Sequence, residues 1–144
     1  SEYRDYSLVG DGARILIVTY GRLYVEALRA RKTLIGEGYP VDILKLTRLA
    51  PFPEEILGIC KQYQKILFYE EGIRGGGIGE QLFARLAQAG FAGTMQLYAI
   101  DNFVPQAKVS EALERLELDA KAMARAIKAL NIEENGGKVI CLKR

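Results

Sequence analysis

A chain of 144 residues that is 49% hydrophobic and 26% charged has the size and balance of one globular domain with a real core, not of a disordered segment. Its 20 basic and 18 acidic residues leave a net charge of +2 with the signs interspersed, which argues against nucleic acid or an anionic membrane as a partner. Histidine is absent and the two cysteines, Cys60 and Cys141, lie far apart, so the commonest general acid/base, the usual zinc ligand and every Ser-His or Cys-His nucleophile system are missing.

Ser1 to Arg14 is polar and rich in turn formers; residues 1–13 read as a linker ahead of a domain at 14–144. This lead-in does not resemble a signal or transit peptide, and with two reduced thiols an intracellular, cytoplasmic protein is expected. The start at Ser1-Glu2-Tyr3, without Met, is expected of a processed chain or of a piece of a longer protein. Ile15-Leu16-Ile17-Val18 does not alternate and therefore predicts a strand buried on both faces. A helical pattern follows from Arg22 to about Ile35, with Tyr24, Ala27, Leu28, Leu34 and Ile35 on one face, and Gly36, Gly38 and Pro40 end it. Val41 to Leu46 predicts a second strand. Pro53 suits the first turn of a helix carrying Ile56, Leu57, Ile59 and Cys60, with Glu54 and Glu55 complementing its dipole.

Lys65 to Tyr69 predicts a third strand, which leads through a glycine-rich loop into a helix from about Gly79 to Gln88. Met95 to Ile100 predicts a fourth. Beyond it, Asp101 to Lys108 reads as a loop and Ser110 to Leu116 as a short helix. Asp119 caps a longer helix with Ala122, Met123, Ala126, Ile127 and Leu130 on one side. Asn135-Gly136-Gly137 reads as a turn and Val139 to Leu142 as an edge strand. No run approaches the roughly 20 apolar residues that cross a bilayer. Strands alternating with helices predict an α/β fold: an open three-layer αβα arrangement around a mainly parallel sheet, its four strands mutually parallel.

Two motifs invite a cofactor. Gly10-Asp11-Gly12 begins like a thiamine-diphosphate and magnesium motif, but that pattern needs an Asn some 25–30 residues on to complete the metal's oxygen ligands, and the first Asn here is Asn102. It also precedes its strand, so it reads as a turn. The stretch from Glu70 to Gly79 follows a strand and opens a helix, where backbone N–H groups can cradle an anion beside Arg74. However, Glu80 stands where a dinucleotide fingerprint wants Gly, and no Gly-Lys-Ser/Thr closes a P-loop. A tight turn and close packing against another backbone are the favoured reading of these glycines, with a phosphate- or nucleotide-binding module using Gly75 to Gly79 as the alternative. Glu70 and Glu71, being adjacent, face opposite ways if the strand continues.

These residues resemble a known family. Ile17-Val18-Thr19-Tyr20-Gly21, the Ala27-Leu28 helix, the run from Gly38 to Leu46 into Pro51, and Glu70-Glu71-Gly72 with Gly76-Gly77-x-Gly79 are similar, in order and spacing, to the C-terminal domain of the transketolase superfamily. Asp101-Asn102-Phe103-Val104-Pro105-Gln106 and the helix start at Leu118-Asp119-Ala120 look most like the 1-deoxy-D-xylulose-5-phosphate synthase branch. Ala99, Ala107 and Ala122 depart from it, and the tail 131–144 has no counterpart. The resemblance covers about residues 14–130. It implies a structural and interface domain of an enzyme that condenses pyruvate with glyceraldehyde 3-phosphate, for isoprenoid precursors. Thiamine diphosphate and magnesium would be held by other domains, and this domain alone would be inactive and bind no cofactor. Other domains of the same enzyme, and a second copy in a homodimer, are the implied partners. A transketolase or a 2-oxoacid dehydrogenase beta subunit is the alternative parent. Glu71, Arg74, Gly77 and Asp101, at or after the carboxyl ends of predicted strands, are the expected interface residues.

Overall fold

The computed structural model describes residues 5–49, 51–73, 77–100 and 118–136. Among the described residues five strands form one sheet: β1 (Tyr6–Val9), β2 (Ile15–Thr19), β3 (Asp42–Leu46), β4 (Lys65–Ile73) and β5 (Thr94–Ile100), in the order β1-β3-β2-β4-β5. Strands β3, β2, β4 and β5 run parallel, as the helical crossovers between them require. Helices α1 (Leu23–Gly36) and α4 (Ala120–Gly136) join the sheet in one apolar cluster, around Ile15, Ile17, Ile43, Leu67 and Tyr69. Helices α2 (Glu54–Cys60) and α3 (Ile78–Gln88) cover the other face, over Leu16, Val18, Leu44, Ile66 and Phe68. Ile15, Leu16, Ile17 and Val18 divide between the two clusters, which is why their apolar run does not alternate.

The lead-in departs from its reading as a linker. Tyr6–Val9 pairs antiparallel with β3, from Tyr6 opposite Leu46 to Val9 opposite Ile43. Tyr6 packs on one core cluster and Val9 on the other, so even this half-polar segment has an anchor on each face. The Asp5 carbonyl accepts the Thr47 and Arg48 N–H groups and extends the pairing.

Helix α1 buries Ala27 and Leu34 and packs Tyr24 on the core as predicted, but its inward face is rotated away from Leu28 and Ile35. Its buried stripe is Leu23, Ala27, Ala30 and Leu34, the spacing of a continuous helical face, while Leu28 and Ile35 are 37% and 46% exposed. Pro53 sits one residue outside α2 as its extended N-cap. Strand β4 runs past Tyr69 to Ile73, with a register shift between Glu70 and Ile73 that bends it into the loop. Asp119 Oδ1 accepts the Ala122 N–H at 3.1 Å, the cap its position predicts. Helix α4 runs on through Asn135 and Gly136, read from sequence as a turn. The helix expected at Ser110 to Leu116 and the edge strand expected at Val139 to Leu142 lie outside the described residues.

Candidate functional site

In an open α/β sheet, ligands favour the crevice beyond the carboxyl ends of strands where successive connections leave in opposite directions. Here that point lies between β2, whose α1 crossover leads to β3, and β4, whose α3 crossover leads to β5. Thr19 Oγ1 donates to the Tyr69 carbonyl at 2.8 Å and ties the two strand ends together. Glu70 is buried, and its carboxylate accepts Tyr20 OH at 3.0 Å, the Ile78 N–H at 3.2 Å and the Gly79 N–H at 3.1 Å. Burial first, and then the negative charge and hydrogen bond of Glu70, push the Tyr20 phenol well above its ordinary range. The hydroxyl therefore stays a donor.

This geometry accounts for Gly77 and Gly79. A Cβ on Gly79 would lie 2.5 Å from Leu97 Cδ1 and 2.9 Å from both Glu70 Oε2 and Phe68 Cδ1, and one on Gly77 would lie 3.0 Å from Glu70 Oε2. These two glycines admit a close approach, but of side chains of their own domain, Glu70 above all, rather than of another backbone. The first amides of α3, which a phosphate would need, point at that carboxylate instead. The phosphate-cradle alternative thus loses these donors to an internal anion.

Glu71 faces the other way, as strand alternation requires, and takes Arg22 Nε at 2.8 Å in a partly exposed pair. Gly77 lies against the Glu70 carboxylate, and the Tyr20–Glu70 and Arg22–Glu71 contacts each link the segment after β2 to the end of β4. Arg74 and Asp101 lie outside the described residues. Tyr20 and Arg22 are partners of Glu70 and Glu71 that the sequence reading missed. Their place directly after a fully buried strand, beside a second strand ending in Glu-Glu, is the signal that could have found them.

The Gly10-Asp11-Gly12 turn uses the same device. Buried Asp42 at the start of β3 accepts the Asp11, Gly12 and Ala13 N–H groups at 3.2, 2.9 and 3.1 Å and the Tyr63 hydroxyl at 2.6 Å. Gly10, at φ 142°, is required there because a Cβ would overlap the Asp42 carboxyl. The turn wraps a carboxylate of its own domain, in agreement with its reading as a turn. Among the described residues no cluster of three or more Cys, Asp or Glu side chains could hold a metal ion, and no helix is long and apolar enough to cross a membrane.

Cys60 is fully buried, and burial pushes its thiol up to about 12. In a Cys141→Ser background it should resist a thiol reagent at pH 8 in the native chain and react to one equivalent in denaturant. Rapid native labelling would show that α2 does not seal this face of the core.

Fold and site together define an αβα domain in which Glu70 and Glu71, at the carboxyl end of β4, are engaged by hydroxyl, backbone and guanidinium donors of the same domain. The chain belongs to the transketolase C-terminal domain family, whose sequence model matches residues 6–123. It is 35% identical over 83 residues to pyruvate dehydrogenase E1 component subunit beta-2, chloroplastic, of Arabidopsis thaliana, a match covering 57% of this chain and 20% of the relative. The corresponding beta subunit of Chlorokybus atmophyticus is 36% identical over 97 residues, 67% of this chain and 25% of the relative. The 1-deoxy-D-xylulose-5-phosphate synthase of Syntrophotalea carbinolica is 27% identical over 128 residues, 88% of this chain and 20% of the relative. Among solved structures, a chain described as "Split gene transketolase, inactive beta4 tetramer" superposes with a TM-score of 0.75 at 20% identity, covering 90% of this chain and 43% of that one. That likeness is one of fold. The chain spans only a fifth to a quarter of the length of these curated relatives.

Proposed function

We propose that this chain is a structural and interface domain of a thiamine-diphosphate-dependent enzyme of the 1-deoxy-D-xylulose-5-phosphate synthase type, with cofactor and magnesium held by other domains. The observation that carries the interface role is that Glu70 already takes up the first amides of α3. The edge where α/β domains seat ligands is occupied by Glu70 and its three donors, while Glu71 remains at the rim for a neighbouring domain or second copy to meet. The synthase reading is supported by similarity that runs through 88% of the chain. A pyruvate dehydrogenase beta subunit is the second reading, favoured by higher identity over a shorter stretch.

The enzyme that contains this chain should condense pyruvate with glyceraldehyde 3-phosphate and release carbon dioxide. Oxidative decarboxylation of pyruvate in place of that condensation would select the second reading. Glu71→Ala and Arg74→Ala test the interface itself. The exposed Arg22–Glu71 pair is worth about 0–1 kcal/mol to the fold, so weakened assembly with an unchanged melting temperature for the isolated domain is the expected result. Normal assembly and turnover in both variants would remove the interface role. Gly77→Val is the poorer test, because its side chain would press on Glu70 within the domain.

A further inference from the structure

We propose that the groove between α1 and α4 binds a small phosphate-bearing molecule, at a site separate from the carboxyl-edge crevice. The groove holds about 290 Å³ and is lined by Arg29 and Thr33 from α1 and by Lys121, Arg125 and Lys128 from α4. Ala120 and Ala124 complete its wall, so four cations and a hydroxyl surround the space and no carboxylate does. On α4 the three cations recur at i, i+4 and i+7, one stripe of the helix, beside the buried side that carries Met123, Ile127 and Leu130.

Exposed lysines on a helix are ordinarily just solvated. Three features set this groove apart. Its cations come from two helices and converge on a concavity, where a multivalent anion meets several at once. Its ends are already neutralised: Arg29 donates to Glu26, and Lys128 pairs with Glu37. Its middle is open, because neither Lys121 nor Arg125 has an acidic partner among the described residues. Elsewhere on the described surface Arg22, Arg48 and Arg85 each pair with a carboxylate.

The helix terminus is not the donor. Glu26 takes the Ala120 N–H at 2.9 Å and Asp119 takes that of Ala122, which leaves recognition to the side chains. Guanidinium and ammonium groups with a hydroxyl are the set that recognises a phosphate dianion. The volume falls at the lower limit of small-molecule sites, roughly 300–1,000 Å³, which suits a phosphorylated metabolite or diphosphate rather than a dinucleotide.

The test uses the whole chain at low ionic strength, titrated with inorganic pyrophosphate and followed by calorimetry and thermal shift. Binding should saturate, and it should weaken by about tenfold or more when Lys121→Glu and Arg125→Glu are combined, equivalent to about 1.4 kcal/mol or more. Both positions are exposed, so the variant should melt like the parent chain without ligand. The comparison is Lys61→Glu, an exposed cation at the far end of α2, which should change binding less than about twofold. Non-saturating heats, or equal loss in both variants, would reduce the groove to general electrostatics and overturn the site.

Discussion

Asp42→Ala should lower the unfolding free energy by about 3 kcal/mol, since it strips the acceptor from three backbone N–H groups and a buried phenol. For a domain of this size each kcal/mol corresponds to roughly 2–4 °C, so a melting point lower by about 6–12 °C is expected. Asp42→Asn is the sharper variant. All four partners are donors, and the new amide would turn an N–H₂ toward one side of the nest. Asn should therefore recover less than half of the loss, despite its matching shape. Tyr63→Phe removes one charge-assisted bond and should cost about 1.5 kcal/mol, and the double variant should fall short of the sum because the two share an interaction. Burial, then the hydrogen bond and charge of Asp42, raise the Tyr63 phenol above its ordinary value. The sign follows: the native state favours the protonated phenol, so its contribution is whole below about pH 10 and is lost as pH rises beyond. Denaturant midpoints measured from pH 8 to 11.5 should fall less steeply in Tyr63→Phe. If Asn matches Asp throughout, the nest does not hold this turn.

The layers of the fold were legible because the strongest local signals agree with the global arrangement. Ile15-Leu16-Ile17-Val18 has no polar face to offer solvent, and helices on both sides of the sheet bury it. Tyr6–Val9 was hidden because an edge strand pairs on one side only and tolerates Ser7 and an exposed Leu8. The face of α1 was legible at Ala27 and Leu34 but not in its exact rotation, for a related reason. Leu28 and Ile35 look like core by composition, but the rotation of α1 is set by where α4 packs, a residue set about 90 positions away.

The site divides in the same way. Opposite facing of Glu70 and Glu71 followed from strand alternation alone, and the glycines pointed to a close approach. What approached was not legible: a lone Glu at the end of a strand reads as solvated, and its partners Tyr20, Ile78 and Gly79 lie up to 50 residues away. Asp42 was missed likewise, because an Asp opening a strand is ordinary turn chemistry until the Gly12 and Ala13 amides close on it from about 30 residues upstream.

Glu70→Leu should be the most damaging single change at the carboxyl edge. Leu fills similar volume, so little of its cost comes from a cavity; the cost lies in the Tyr20 hydroxyl and the Ile78 and Gly79 amides left without their acceptor in a buried setting. At about 1–3 kcal/mol for each buried donor left unsatisfied, reduced by water reaching the partly buried Tyr20 and Ile78, the expected loss is about 3–5 kcal/mol. Glu70→Gln should fall between. Its carbonyl can keep Tyr20 and Ile78, which share Oε1, but its amide nitrogen then faces the Gly79 N–H, donor against donor. Gly79→Val attacks the same contact from the other side and should cost about 1–3 kcal/mol through overpacking against Leu97, Phe68 and Glu70. Hydrogen exchange gives the local readout: the Ile78 and Gly79 amides should lose protection in Glu70→Gln, while those of β2 and β3 keep theirs. Equal stability and equal exchange in Glu70→Gln and the unsubstituted chain would mean that the α3 terminus is not held by this carboxylate. The crevice would then be open to an external anion after all.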